Sequence, residues 1–513
     1  MLITPKVFSE RKKSNMSNII PALVIGAGPV GLVAASELKR HGIKCRIIDQ
    51  KPGPTTTSNA LAVHARSMEM LEDMGLDKIF IENGKKLEAV TTYNKAGQKI
   101  ASLKFKGKLP TKYSYILTVP QSATEVLLTE HLENEQHITV ERNSKLLSIK
   151  EFDDHVEATV ESDSGEQEII KARWLLGCDG YHSTVRKFVK AKYEGEDLSL
   201  KFIMGDIPAE WPLPDKEISI IYHTKGLVAI FPFKGSNRII IQVNNPSFDI
   251  EKDLNIENFT KELKKIVTFD FKLGEPKWLS HFYVHERLAS PYRSNRLFIL
   301  GDAAHAHSPA GGQGMNTGMQ DAYNFAWKLA LVIKSQADEK LLDTYEEERR
   351  PVAKDVVSTS SKMIRLVSWK SPLLVFIRNC LLKFFFQTKK MSLKLAMLMS
   401  ALAYGYRDSS LSKDYISTAL KAGDRTPDFV KGSHFTLLIT DDCEDKSNIE
   451  KFIREQCKDL IKVKAIKQNE ERYQLYHLDK SYCLVRPDQY IASQGESLEN
   501  LLGYLKGILN INH

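Results

Sequence analysis

One segment constrains the fold of this chain more than any other. An apolar run, Ala22-Leu23-Val24-Ile25, leads into Gly26-Ala27-Gly28-Pro29-Val30-Gly31, then a helical stretch to about Arg40 and a second apolar run, Cys45 to Ile48, ending on Asp49. Three glycines at this spacing permit a tight bend, a close approach of backbone to a pyrophosphate, and close helix–strand packing. The pattern predicts a βαβ unit that opens a Rossmann-like α/β dinucleotide-binding domain. Its helix N-terminus would meet phosphate with positive potential, and Asp49 would accept a ribose hydroxyl. The competing reading is a glycine turn that serves packing alone.

The turn cannot tell FAD from NAD, so later segments decide. Arg296 to Leu300 reads as a buried strand that delivers Asp302 at its end, followed by Pro309, Gly311, Gly312, Gly314 and a long helix from about Met315 to Ser335. A carboxylate there suits a polyol, and the open helix start suits an anionic ring such as reduced flavin. A third segment, Gly177-Cys178-Asp179-Gly180-Tyr181-His182-Ser183-Thr184-Val185-Arg186, lies between these two. For Asp179 and Arg186 the alternative is an ion pair that locks a turn. His305 and His307 flank the second loop and are read as local hydrogen bonders, because two His without a third ligand make a poor metal site.

In order and spacing these three segments resemble the class A flavoprotein monooxygenases, the aromatic hydroxylases similar to phenol hydroxylase and 4-hydroxybenzoate hydroxylase. The resemblance implies FAD bound through Gly26, Gly28, Gly31, Asp49, Arg66, Gln121, Asp179, Arg186, Asp302, Gly314, Met315 and Asn316. It implies NADPH or NADH as a transient co-substrate, since no second glycine fingerprint is present. The reaction implied is hydroxylation of a phenolic or polycyclic aromatic molecule by molecular oxygen through a C4a-hydroperoxyflavin, or oxygenation of an antibiotic or polyketide on the same scaffold. Pro309 matches a family proline beside the oxygen-transfer site. Asn59 departs from the family, which often has an arginine there, so a cationic contact is missing or supplied by Arg66.

The substrate is expected against a second, β-rich region. Tyr222, His223, Phe231, Phe233 and Arg238 are its candidate contacts, with Tyr222 also a catalytic candidate. The expected organisation is an extension at 1–18; an FAD-binding domain from 19–90, 120–190 and 290–355; a substrate sheet from 91–119 and 191–289; a basic helical linker, 356–410; and a thioredoxin-like α/β domain, 411–513. Length agrees, since 513 residues make about three domains. The C-terminal resemblance rests on Asp424-Arg425-Thr426-Pro427-Asp428 and Leu484-Val485-Arg486-Pro487-Asp488, and that domain is read as structural or dimer-supporting. The six cysteines contain no C-x-x-C pair, which argues for a reducing, cytoplasmic setting and against thiol redox chemistry. The first eighteen residues hold no apolar core of a secretory signal, and Met16, just before the first strand, is compatible with a start of translation.

The net charge is +8, yet nine cations fall between Asp355 and Asp408, where no acidic residue occurs, so the remainder is close to neutral. A nucleic-acid partner is therefore not expected. That segment also carries Trp369, Leu373, Leu374, Phe376, Ile377 and Phe384 to Phe386. The preferred reading makes these aromatics interdomain core and the lysines a solvated face; the alternative is a flavin-binding protein that docks on an anionic membrane surface.

Overall fold

The computed structural model describes residues 19–56, 60–245, 248–307, 312–367, 369 and 371–510. The N-terminal extension, Asn59 and Pro309 lie outside the described residues.

The glycine segment builds the centre of the first sheet. Strand β1 (Ile20–Ile25) is followed by helix α1 (Pro29–Arg40) and β2 (Cys45–Ile48); later come β3 (Val140–Glu141), β4 (Gln167–Gly177) and β5 (Leu297–Ile299). These strands are parallel neighbours in the order β5-β4-β1-β2-β3, with Arg293–Ser294 antiparallel at one edge and the hairpin Ser144–Glu151/Val156–Ser162 branching from β4. Ala22, Leu23 and Val24 are fully buried, as a central parallel strand covered on both faces requires. Helix α2 (Gly314–Ile333) packs along α1.

The second sheet has eight strands, in the order His305–Ala306, Trp278–Ser290, Lys192–Ile207, Ser236–Val243, Gly226–Phe233, Glu217–His223, Ala89–Tyr93, Lys99–Lys104. Its pairs are antiparallel except for Glu217–His223 beside Ala89–Tyr93. Alternation along a strand sorts its two faces. Ile239 and Ile241 enter the core under the helix Ile256–Lys264, whereas Arg238 and Ile240 face a cleft toward the first sheet. The expected strand-rich piece 91–119 is split: Ile116–Thr118 leaves this sheet and pairs with Ala62–Val63 and Lys85–Leu87 in a small sheet of its own. Thr118 Oγ1 donates to Pro232 O at 2.7 Å, which ties that small sheet to the large one.

Helices α3 (Thr344–Val367), α4 (Pro372–Gln387) and α5 (Lys389–Met399) follow, and the expected boundary at 355/356 falls inside α3. Helix α4 lies on the edge strand Lys99–Lys104. It buries Leu382 and Phe386 but leaves Leu373, Phe376, Ile377 and Phe384 exposed. The expectation that these aromatics form interdomain core holds for one face of α4 only, because the sheet edge beneath covers only that face.

The C-terminal unit is a five-stranded sheet, in the order Lys413–Asp414, Ile491–Gly495, Tyr482–Val485, Phe435–Thr440, Ile461–Ile466, flanked by helices including Leu498–Leu505. It docks through a buried ionic network. Arg486 donates to both oxygens of Glu348 at 2.5 and 2.8 Å and to both oxygens of Asp488 at 2.9 and 2.6 Å. Lys328 Nζ donates to Glu348 Oε2 at 2.7 Å, and Ser409 Oγ donates to Glu348 Oε1 at 2.7 Å. Two cations and two carboxylates balance, which is the condition for burying them at all. Burial pushes the Cys443, Cys457 and Cys483 thiols up, so none is a ready thiolate.

Candidate active site

A cleft of about 550 Å³ opens between the two large sheets. Its first wall is the glycine turn. Gly26 sits at φ +98°, and a Cβ on Gly31 would stand 1.8 Å from the Gly26 carbonyl oxygen, so neither position admits a side chain without moving backbone. A Cβ on Gly28 would meet nothing within 4 Å, which leaves space for a ligand to approach the backbone. Asp49 accepts from Ala27 N at 2.6 Å and from Lys51 N at 2.8 Å; it clamps the turn while lining the cleft.

The second wall comes from β5 and α2. After β5, the short turn Gly301–Ala303 delivers Asp302 into the cleft, where its carboxylate has no protein hydrogen bond among the described residues. Water reaches this side chain, yet protein atoms surround it closely; that burial pushes its pKa up, partly offset by His305. Helix α2 begins at Gly314 with no side-chain cap and no acidic residue in its first turn, and Gly314 and Met315 line the cleft. Helix α1 is likewise uncapped, with Pro29 in its first turn. Two positive helix ends therefore face one cleft.

Asn316 does not line this cleft. Its amide staples the α2 start to the distant strand Ala62–Val63: Oδ1 accepts from His64 N at 2.9 Å, and Nδ2 donates to Ala62 O and to Gly312 O, both at 2.8 Å. Asp179 lines the cleft and accepts from Thr184 N at 2.6 Å and Val185 N at 3.1 Å, at the start of the helix Thr184–Val189 that Ser183 caps. Arg186 turns away, donating to Ala303 O and Tyr181 O at 3.0 and 2.7 Å and lying over the Tyr193 ring. The alternative of an Asp179–Arg186 ion pair is thereby corrected; each residue locks the turn through backbone partners.

Arg66 is also corrected as a cofactor contact. It is buried against the C-terminal unit, donating to Glu69 at 3.0 Å and to Asp488 O at 2.6 Å and lying over Tyr490. Gln121 does line the cleft, accepting from Ala60 N at 3.2 Å and donating to Glu125 at 2.9 Å. Glu125, missed in the sequence, accepts from Thr55 N at 2.6 Å and orders the loop above. His305 is the expected hydrogen bonder: its Nε2 lies 2.6 Å from Asp321 Oδ2, and Arg349 Nε donates to the other oxygen at 2.7 Å. Burial pushes the Asp321 carboxyl up, but His305 and Arg349 outweigh this and hold it below the ordinary value. Asp321 also accepts from Gly301 N at 3.1 Å, so this buried set supports the backbone that presents Asp302.

On the sheet side, Phe231, Arg238 and Ile240 line the cleft. Arg238 donates to both oxygens of Asp206 at 2.8 and 2.9 Å and to Ala60 O at 3.2 Å, so its donors are engaged. Tyr222, His223 and Phe233 lie outside the cleft lining, a correction to their expected substrate contacts. Tyr222 is covered by the Arg378 guanidinium, 4.4 Å from its ring centroid, and burial pushes its pKa up to about 12, partly offset by that guanidinium. His223 accepts from Lys225 N at the end of its strand, and Phe233 is buried in the sheet. Among the described residues no group of three or more His, Cys, Asp or Glu side chains is placed to hold a metal, and no helix is long and apolar enough to cross a membrane.

These walls fit FAD: a glycine turn open at Gly28, two uncapped helix ends for the pyrophosphate and an anionic ring, and a free carboxylate for a polyol. Comparison with known proteins agrees. Residues 20–360 match the FAD binding domain family. The chain is 33% identical to pentachlorophenol 4-monooxygenase of Sphingobium chlorophenolicum over 463 residues, covering 85% of this chain and 83% of that protein. It is 35% identical to 6-methylpretetramide 4-monooxygenase of Streptomyces rimosus, covering 76% of this chain and 70% of that protein. Its fold superposes on the anhydrotetracycline hydroxylase of Streptomyces rimosus with a TM-score of 0.78 and 27% identity, over 95% of this chain and 98% of that one. The chain belongs to the FAD binding domain family and, within it, to the flavin-dependent aromatic monooxygenases.

Proposed function

We propose that this monooxygenase inserts one oxygen atom from molecular oxygen into a phenolic or fused-ring aromatic substrate, held between the flavin and the cleft face of the second sheet. The observation that carries this is the continuity of one cleft from the glycine turn, past Asp302 and the start of α2, to Phe231 and Ile240. When bound, FAD supplies the redox chemistry, accepting hydride from NADPH or NADH and activating oxygen. The chain's residues do the rest. Gly28, Asp49 and the α1 N-terminus would hold the nucleotide end, Asp302 would accept from the ribityl hydroxyls, and the α2 N-terminus at Gly314 and Met315 would favour negative charge on the ring. Phe231 and Ile240 offer an apolar face that excludes water from the reacting ring, while the Arg238–Asp206 pair keeps a rigid, neutral edge beside it.

Oxygenation of a polyketide-type fused ring is supported by the relatives whose names carry 6-methylpretetramide and anhydrotetracycline, and a simple phenol by the pentachlorophenol enzyme. Anaerobic stopped-flow absorbance with NADPH or NADH, over a panel of phenols and fused-ring aromatics, tests the reading. One class should accelerate bleaching of the flavin band and, after oxygen is admitted, yield a product heavier by one oxygen atom. Flavin reduction that no aromatic accelerates overturns it.

A further inference from the structure

The exposed face of α4 is apolar, and neither the FAD site nor the docking of the C-terminal unit uses it. Leu373 and Phe376 are each 66% exposed and Phe384 is 59% exposed, with Ile377 beside them at helical spacing. An isolated exposed leucine needs no explanation, but a row of large apolar side chains along one helix face does. Exposed cations follow this row along the chain. Lys383 lies on α4 itself, and Lys389, Lys390 and Lys394 follow on α5, all exposed.

The tertiary structure adds a second basic segment that is remote in sequence. Helix α4 packs on the strand Lys99–Lys104, and the stretch from residue 89 to 124, like that from 356 to 407, contains no aspartate or glutamate. Lys104 and Lys106 there are exposed, and Lys108 Nζ donates to Ser392 Oγ at 3.0 Å, joining the two segments directly. Arg365 and Lys112 are paired, with Glu196 and Glu72. Lys104, Lys106, Lys383, Lys389, Lys390 and Lys394 form no ion pair among the described residues.

We propose that α4, with the lysines of α5 and of the strand beneath, is a docking surface for an anionic lipid bilayer. Leu373, Phe376, Ile377 and Phe384 would enter the headgroup–acyl boundary while the lysines meet lipid phosphates, the division of labour of an interfacial amphipathic helix. Charge selects this occupant. A second copy of the chain docked through the same face would set like-charged lysines against these, and an uncharged partner would leave the lysines without a role. The opposite face of α4 carries Arg378 over Tyr222, so docking sets the end of the substrate sheet beside the membrane, where apolar aromatics partition.

Flotation of the FAD-loaded full chain with two kinds of vesicle tests this: phosphatidylcholine alone, and phosphatidylcholine with about 30% phosphatidylglycerol. The expected result is partitioning at least about tenfold stronger to the anionic vesicles at low salt, weakened by high salt. The double variant Phe376→Ser/Phe384→Ser, whose altered side chains are exposed, should lose about tenfold of that partitioning with unchanged flavin content. Equal binding to neutral vesicles, or no binding to either, overturns the proposal. So does light scattering that shows a dimer dissociated by the double variant, which would make the surface a contact between copies.

Discussion

At Asp302 a carboxylate stands at the end of a buried strand without a protein donor among the described residues, its charge disfavoured by burial and partly restored by His305. Water reaches this side chain within the cleft, so its acceptor oxygens are open to a bound ligand. Asp302→Ala should weaken FAD by about 1.5–3 kcal/mol, roughly 10- to 100-fold, the worth of hydrogen bonds to a charged group. Flavin absorbance per mole of protein after gel filtration measures this, and full retention by the variant refutes the assignment. Gly31 answers to sterics instead. Its absent Cβ would collide with the Gly26 carbonyl, so Gly31→Ala should open the turn, with loss of flavin and a destabilisation of about 1–3 kcal/mol seen by thermal melting of the apoprotein. By contrast, a Gly28→Ala protein should melt normally and lose only affinity for flavin, since its Cβ has room in the apoprotein.

Among the elements, the strand Ser236–Val243 shows how alternation divides labour: Ile239 and Ile241 make core, while Arg238 and Ile240 make the wall of the site. The cost of placing an arginine there is met by Asp206 on the neighbouring strand, directly opposite in register. Arg238→Met should leave Asp206 buried and unpaired, at a cost of about 3–5 kcal/mol in urea unfolding. The double variant Arg238→Met/Asp206→Leu should recover most of that loss, because an apolar pair replaces an ion pair without leaving a charge behind. A double variant no more stable than the single one would show that the pair's worth lies elsewhere. Helix α2 obeys a different rule: among the described residues no side chain caps its N-terminus, which costs the isolated helix but leaves backbone N–H groups for a ligand.

Across the whole molecule, the C-terminal unit is locked to the FAD domain by Arg486, Lys328, Glu348 and Asp488, all buried. Burial pushes the Glu348 carboxyl up, but Arg486 and Lys328 overcome it and hold the folded-state value well below the ordinary one. A carboxyl depressed in the folded state stabilises fully above its unfolded value, near 4.5, and that contribution fades as pH falls toward the folded value. The urea midpoint should therefore fall progressively from about pH 5 downward; a midpoint that rises on acidification contradicts the network. Arg486→Met should loosen the C-terminal unit at neutral pH, read as faster proteolysis within it, because it strips Glu348 and Asp488 of their shared cation.

The glycine turn, the strand-end position of Asp302 and the order of the three cofactor segments were legible in the sequence by itself, because each is a local matter of backbone freedom, apolar periodicity and spacing. The Rossmann-like sheet and the choice of FAD followed from them. What escaped depended on partners far along the chain. Arg66 looked like a cofactor cation, yet its guanidinium bonds Asp488 O, 422 positions away. Tyr222 stood on the expected strand, but α4 covers it, and Phe231 and Arg238 reach the cleft where His223 and Phe233 do not. The basic aromatic segment read as core because a sequence shows how much apolar surface a helix has, not how wide a sheet edge it will lie on. Side-chain type and local pattern are properties of neighbours in sequence; burial, pairing and the merging of two acid-free segments into one surface are set only when distant elements pack.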